Sequence, residues 1–296
     1  MENLVAYLGP TGSFTQQAAG VLCPDSAVLK PLFKPLSYIE DVFQSVEKEK
    51  YSAGVVPIEN STEGAVNETL DSLLREENVV ITKMLTLPIR HCLMVAEKGI
   101  QFTEITKILA HPQALAQCRN YIRRYIPQAQ LEACSSNGEA AAQVAGSAIN
   151  PWASIGSIAA AEEYGLHVYD ESIQDQKSNR TAFIKIEKIK ENKQKLASQP
   201  NLKKGRYTSI VFSTENRAGA LCEMLNKFEK INLTKILSRP MKESPGAYVF
   251  FVDLESDTES KNGTEDVEKA LKQVQETALL YRYLGTYEIV HADERG

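Results

Sequence analysis

Ala53-Gly54-Val55-Val56-Pro57-Ile58-Glu59-Asn60-Ser61-Thr62-Glu63-Gly64 changes character halfway along. Residues 53–57 are small or β-branched and uncharged, the composition of a buried strand. From Ile58 to Gly64 the chain turns polar, and residues 66–74 then show apolar side chains at helical spacing. A buried strand, a polar loop at its carboxyl end and a helix form the repeating unit of a layered α/β domain. Open sheets of that kind gather ligands at strand carboxyl ends.

The same unit recurs on both sides. Residues 5–8 read as a strand that enters Gly9-Pro10-Thr11-Gly12-Ser13 and a helix from about Phe14. Residues 105–110 form a strand, His111-Pro112 a turn with proline at the first helical position, and 114–124 a helix. Ser135-Ser136-Asn137 caps an alanine-rich helix over 139–148. Residues 153–155 are strand-like, 157–164 helical, and 181–186 close the region as a strand. Largely parallel pairing and two lobes with a cleft between them are the expectation. Residues 187–205 are lysine-rich and nearly devoid of large apolar side chains, which suits a solvated linker. Beyond it, strands at 208–213, 233–239, 248–254 and 281–289 and helices at 218–228 and 267–277 give the ferredoxin-like βαββαβ order.

Composition removes several classes of function. The 296 residues, 43% hydrophobic, suffice for more than one core. The net charge of −5 is interspersed in sign, so no basic face awaits nucleic acid. No export signal or apolar run of roughly 20 residues is read, so neither membrane nor export is expected and the setting is cytoplasmic. Cys23, Cys92, Cys118, Cys134 and Cys222 lack C-x-x-C pairing, and His91, His111, His167 and His291 lack ligand spacing. The cysteines are expected to be reduced and mostly buried, and no metal is expected.

Four segments, in order, resemble the prephenate dehydratase family: Leu8-Gly9-Pro10-Thr11-Gly12-Ser13-Phe14-Thr15, Val55 through Gly64, His111-Pro112-Gln113-Ala114-Leu115-Ala116-Gln117-Cys118, and Asn179-Arg180-Thr181-Ala182-Phe183. The C-terminal unit resembles an ACT domain through Gly219-Ala220-Leu221, Ile231-Asn232-Leu233 and Ser238-Arg239-Pro240. The resemblance implies a two-lobed, periplasmic-binding-protein-like α/β catalytic domain at 1–186, a linker at 187–205 and an ACT regulatory domain at 206–296. It implies decarboxylating dehydration of prephenate to phenylpyruvate in phenylalanine biosynthesis, feedback regulation by L-phenylalanine, and a homodimer or homotetramer. The neighbouring readings are arogenate dehydratase, a decarboxylase that keeps the hydroxyl, and a non-catalytic two-lobed amino-acid-sensing protein.

Prephenate loses carbon dioxide and a ring hydroxyl together, and the electron pair from the broken carbon–carboxylate bond displaces the hydroxyl, so no cofactor is expected. What the chemistry needs is a donor on the departing oxygen and a hold on two carboxylates. The resemblance assigns the donor to Thr181 and substrate contact to Gly12, Ser13, Phe14, Glu59, Asn60, Ser61, Glu63, Gly64, Asn179, Arg180 and Phe183, with Ser136 facing the cleft. It assigns phenylalanine binding to Gly219, Ala220, Leu221, Asn232, Leu233, Ser238, Arg239 and Pro240. Two positions depart from the family pattern: Ala182 stands where arginine is usual, and Leu237 where glutamate is usual. Arg180 and Ala182 share a strand face, so Arg180 is the residue expected to replace the lost guanidinium.

Overall fold

The structure, a computed structural model, describes residues 4–24, 31–147, 149–189, 206–241, 246–256 and 263–292. The first lobe holds β1 (Leu4–Leu8), α1 (Phe14–Leu22), β2 (Leu32–Leu36), α2 (Ile39–Glu47), β3 (Ala53–Asn60), β4 (Gly64–Ala65), α3 (Asn67–Arg75) and β5 (Val79–Pro88). The chain crosses at 89–91 into the second lobe: β6 (Cys92–Val95), β7 (Lys107–Ala110), α4 (Pro112–Gln117), α5 (Arg119–Tyr125), β8 (Gln130–Ala133), α6 (Asn137–Gly146), β9 (Trp152–Gly156), α7 (Ile158–Tyr164) and β10 (His167–Asp170). It returns through 171–179 to β11 (Arg180–Lys188), which lies antiparallel between β3 and β5.

The expected parallel sheets are therefore mixed. β1 pairs in parallel with β2 and β3, and β7 with β8 and β9, as βα units require. The crossing strands enter antiparallel because each lobe must be left and re-entered. β3 runs to Asn60, three residues beyond the expected end, because its last residues pair with Thr181 and Ala182. The helix expected at 114–124 divides at Cys118 into α4 and α5.

The C-terminal unit comprises β12 (Tyr207–Ser213), α8 (Ala220–Leu225), β13 (Asn232–Pro240), β14 (Tyr248–Glu255), α9 (Gly263–Thr277) and β15 (Leu280–His291). Its order β13-β14-β12-β15 is ferredoxin-like. β15 continues past this unit and pairs in parallel with β5, Glu288 against Lys83 through His291 against Thr86, so one ten-stranded sheet runs through both units. Val56, Ile81 and Ile184 of the lobe pack in one core with Val211, Phe251, Leu284 and Tyr287. The expected linker begins inside β11, and residues 190–205 lie outside the described residues.

Candidate active site

A β-bulge sets the site. Thr181 pairs with Asn60 and Ala182 with Glu59, but Phe183 pairs with Pro57, which leaves Ile58 as an extra residue in β3. An extra residue reverses which face later side chains take. Asn60 therefore shares a face with Thr181, and Glu59 shares the opposite face with Ala182. Asn60 Nδ2 donates to Thr181 Oγ1 at 2.8 Å and to Asn179 Oδ1 at 3.0 Å, while its Oδ1 accepts from the Thr62 and Glu63 amides at 2.9 and 3.2 Å. Thr181 is 8% exposed, and with its oxygen already accepting one hydrogen bond its own proton is left to donate. A hydroxyl that accepts one hydrogen bond gives a stronger one in turn.

The inter-lobe cavity measures about 300 Å³ and is lined by Thr62, Glu63, Gln113, Gln117, Gln174 and Asn179, among others. That volume falls in the range that takes a small metabolite. Gln113 Nε2 of the second lobe donates to Glu63 Oε1 of the first, a tie across the two lobes. Gln113 and Gln117 lie four residues apart and so on one face of α4. Ser61 Oγ reaches Asn179 Oδ1 at 3.4 Å and accepts from the Arg180 amide at 3.0 Å. The lining is thus rich in side-chain amides, whose N–H groups suit carboxylates, and also holds the carboxyl groups of Glu63 and Asp175.

The other expected contacts are outside the residues that line this cavity. Ser13 caps α1 by accepting from the Gln16 amide, and the Gly12 amide donates to Gln16 Oε1, so these donors are satisfied within the loop. Gly12 itself is a lobe-to-lobe contact: Ser157 Oγ donates to its carbonyl at 2.6 Å, and a Cβ there would lie 2.9 Å from Ala160 Cα. Phe14 meets the His91 ring edge-on at 5.5 Å. Ser136 caps α6, and His111 caps α4. Phe183, 2% exposed, packs with Tyr7, Val55 and Leu87 in the core. Gly64 closes the β3–β4 pairing opposite Asn60.

The face carrying Ala182 looks toward the C-terminal unit. A second bulge, at Thr234 of β13, turns Lys235, Leu237 and Arg239 in the same direction. Lys235 Nζ pairs with Glu59 Oε2 at 2.5 Å, Arg239 with Asp71 at 3.1 Å and with Asn67 Oδ1 at 2.9 Å. Asp253 lies near the first pair and accepts from Ser209 Oγ; burial pushes its carboxyl up, against the pull of that hydrogen bond and of Lys235. Ala182 and Leu237, the two departures from the family pattern, pack against one shared core. Lys235 places a cation beside Glu59, and the Arg180 backbone is tied to Ser61. Gly219-Ala220-Leu221 follows the loop after β12 and lies at the Pro240 end of β13, whereas Asn232 and Leu233 lie at the other end.

Gln117, Gln113, Thr62, Gln174 and Lys235 join the site without being among the residues expected from the sequence motifs. Gln113 and Gln117 belong to the segment from His111 to Cys118, and their four-residue spacing is the signal that points to them. Gln174 and Lys235 have none, because bulges and crossovers leave no periodic trace. Among the described residues no cluster of His, Cys, Asp and Glu could hold a metal, all five cysteines are free, and no helix is long and apolar enough to cross a membrane.

A model of the family described as prephenate dehydratase matches residues 5–191. The chain is 39% identical over 285 residues to the bifunctional chorismate mutase/prephenate dehydratase of Aquifex aeolicus, covering 96% of this chain and 73% of that one. It is 36% identical over 304 residues to the prephenate dehydratase of Methanocaldococcus jannaschii, covering 98% and 99%. The structure of prephenate dehydratase from Arthrobacter aurescens in complex with L-Phe superposes with a TM-score of 0.78 at 29% identity, covering 96% and 90%.

Proposed function

The chain belongs to the prephenate dehydratase family, and from that premise we propose that it converts prephenate to phenylpyruvate with Thr181 as the donor to the departing hydroxyl. The observation that carries the assignment is the Asn60–Thr181 hydrogen bond, which leaves the Thr181 proton to donate and, through Asn60 and Asn179, links the hydroxyl to the lining of the cavity. The carbon–carboxylate bond breaks to release carbon dioxide, its electron pair completes the aromatic ring, and the ring hydroxyl leaves as hydroxide. Thr181 stabilises the charge growing on that oxygen, and the released hydroxide is neutralised to water by one proton from the buffered solvent. Gln117, Gln113 and Asn179 are the amide groups within reach of the substrate carboxylates.

Purified protein mixed with prephenate should yield phenylpyruvate, read by its ultraviolet absorbance in alkali. A parallel run with arogenate tests the neighbouring substrate, which the Arabidopsis thaliana arogenate dehydratase/prephenate dehydratase 2, 34% identical, makes the natural comparison. Turnover should be unchanged by a chelator, because the reaction supplies its own electrons; loss in chelator with recovery on adding zinc would refute this.

Feedback by L-phenylalanine at the C-terminal unit, read as an ACT domain, completes the proposal, with domain limits of 1–186 and 206–296 and a cytoplasmic setting where free cysteines stay reduced. The two groups of effector residues lie at opposite ends of β13, so a second copy is needed to bring both to one ligand. β13 is a sheet edge with Ile236 exposed, which favours such pairing and supports a homodimer or homotetramer. The Lys235–Glu59 pair joins the effector-bearing strand to the residue next to Asn60. Lys235→Met should therefore weaken the response of kcat to phenylalanine. A half-exposed pair is worth roughly 0.2–1 kcal/mol, so the expected loss is up to about fivefold. An unchanged inhibition curve would show that the signal takes another route.

A further inference from the structure

His91 sits in the crossing segment between the lobes, 3% exposed, and its backbone ties the two crossings together: its amide donates to Gln174 Oε1 at 2.9 Å and its carbonyl accepts from the Ile173 amide at 3.0 Å. Its ring heads a chain of side-chain amides that ends at Thr181. The direction of every bond in that chain is forced. The Thr62 and Glu63 backbone amides can only donate, so the oxygen of Asn60 faces them and its nitrogen faces Thr181 and Asn179. Asn179 then accepts through Oδ1 and donates through Nδ2 to Gln117 Oε1 at 3.4 Å. That oxygen also lies 2.9 Å from His91 Nε2, and an oxygen cannot donate, so Nε2 must carry the hydrogen.

We propose that His91, held as the neutral Nε2–H tautomer, is a positioning residue: it fixes the Gln117 amide so that its nitrogen is free for the cavity, and it closes the chain that orients Asn60 on Thr181. Burial lowers the imidazole pKa from its usual value, against the raising effect of the Gln117 hydrogen bond, so the ring stays uncharged. Nδ1 is buried without a partner among the described residues, and Phe14 packs its ring against the imidazole. A ring kept only to fill space would require neither a fixed tautomer nor a bond to a cavity-lining amide.

The inference rests on the reading of Thr181 as donor, and the test separates the two. Nitrogen NMR of the isotope-labelled full chain, with the His91 ring signal assigned by through-bond correlation to its own backbone, should show a neutral Nε2–H ring at neutral pH. His91→Gln keeps a donor near the Nε2 position and should retain kcat within about threefold, whereas His91→Asn and His91→Phe should lose about tenfold in kcat with KM changed less, the worth of one hydrogen bond. In a Thr181→Ala background His91→Asn should add less than about twofold, because the relay then has nothing to orient. A charged or Nδ1–H ring in the wild-type chain, or His91→Gln as impaired as His91→Phe, overturns the proposal; the NMR result decides even where a variant fails to fold. A full further loss on top of an already crippled Thr181→Ala overturns the role of His91 alone. A Thr181→Ala enzyme with wild-type kcat overturns both readings.

Discussion

Thr181→Ala is expected to lower kcat for prephenate by about 10² or more while KM moves no more than a few-fold. The hydroxyl contributes little to the ground state, where the leaving group is still a neutral alcohol, and most to the transition state, where negative charge collects on that oxygen. Thr181→Ser should keep more activity, because Asn60 Nδ2 can still reach an oxygen at the same backbone position, though without the methyl group that limits its rotamers. Thr181→Val keeps shape and loses the donor, so it should behave like alanine. Steady-state kinetics on the three variants, with melting curves to confirm folding, give the answer. Near wild-type turnover in the alanine or valine variant would remove Thr181 from the chemistry.

The α/β layering was legible because it rests on pattern: β1, β3, β7 and β11 appear as apolar runs, and Ser136 marks a helix start by residue type. The ferredoxin-like order of the C-terminal unit was legible for the same reason. Strand parity leaves no such pattern. One extra residue at Ile58 decides that Asn60, and not Glu59, meets Thr181, and one at Thr234 decides that Lys235 meets Glu59. Hydrophobic alternation is too coarse to register a single inserted residue. Reading Arg180 and Ala182 as sharing a face agrees with the burial along β11, where these two are partly exposed and alternate with the buried Thr181 and Phe183. That face, however, carries Ala182 against the core shared with the C-terminal unit, away from the hydroxyl of Thr181. An arginine at position 182 would stand beside Glu59, where Lys235 now arrives from β13.

Gly285→Ala is expected to destabilise the protein by about 3 kcal/mol or more and to blunt the response to phenylalanine. Gly285 lies in β15 next to a register shift, where the strand passes from β12 toward β5, and its φ is +141°. A Cβ built there would lie 2.1 Å from the carbonyl oxygen of Ile81 and 2.9 Å from its amide nitrogen. Both are backbone atoms of a central strand, so neither can swing aside as a side-chain tip would, and relief requires β15 to move off β5. That movement would pull Leu284 and Tyr287 from the core they share with Val56, Ile81 and Ile184. For a chain of this size the expected fall in melting temperature is about 6 °C or more. Gly99→Ala supplies the comparison: its φ is also positive, at +90°, but nothing lies within 4 Å of the added carbon, so it should cost only about 1 kcal/mol from backbone strain. If the two variants melt together, the close approach at Ile81 is not what holds β15 to β5. If Gly285→Ala melts early yet still answers phenylalanine with the full change in kcat, the coupling between units runs through β13 and the Lys235–Glu59 pair without help from the β15–β5 junction.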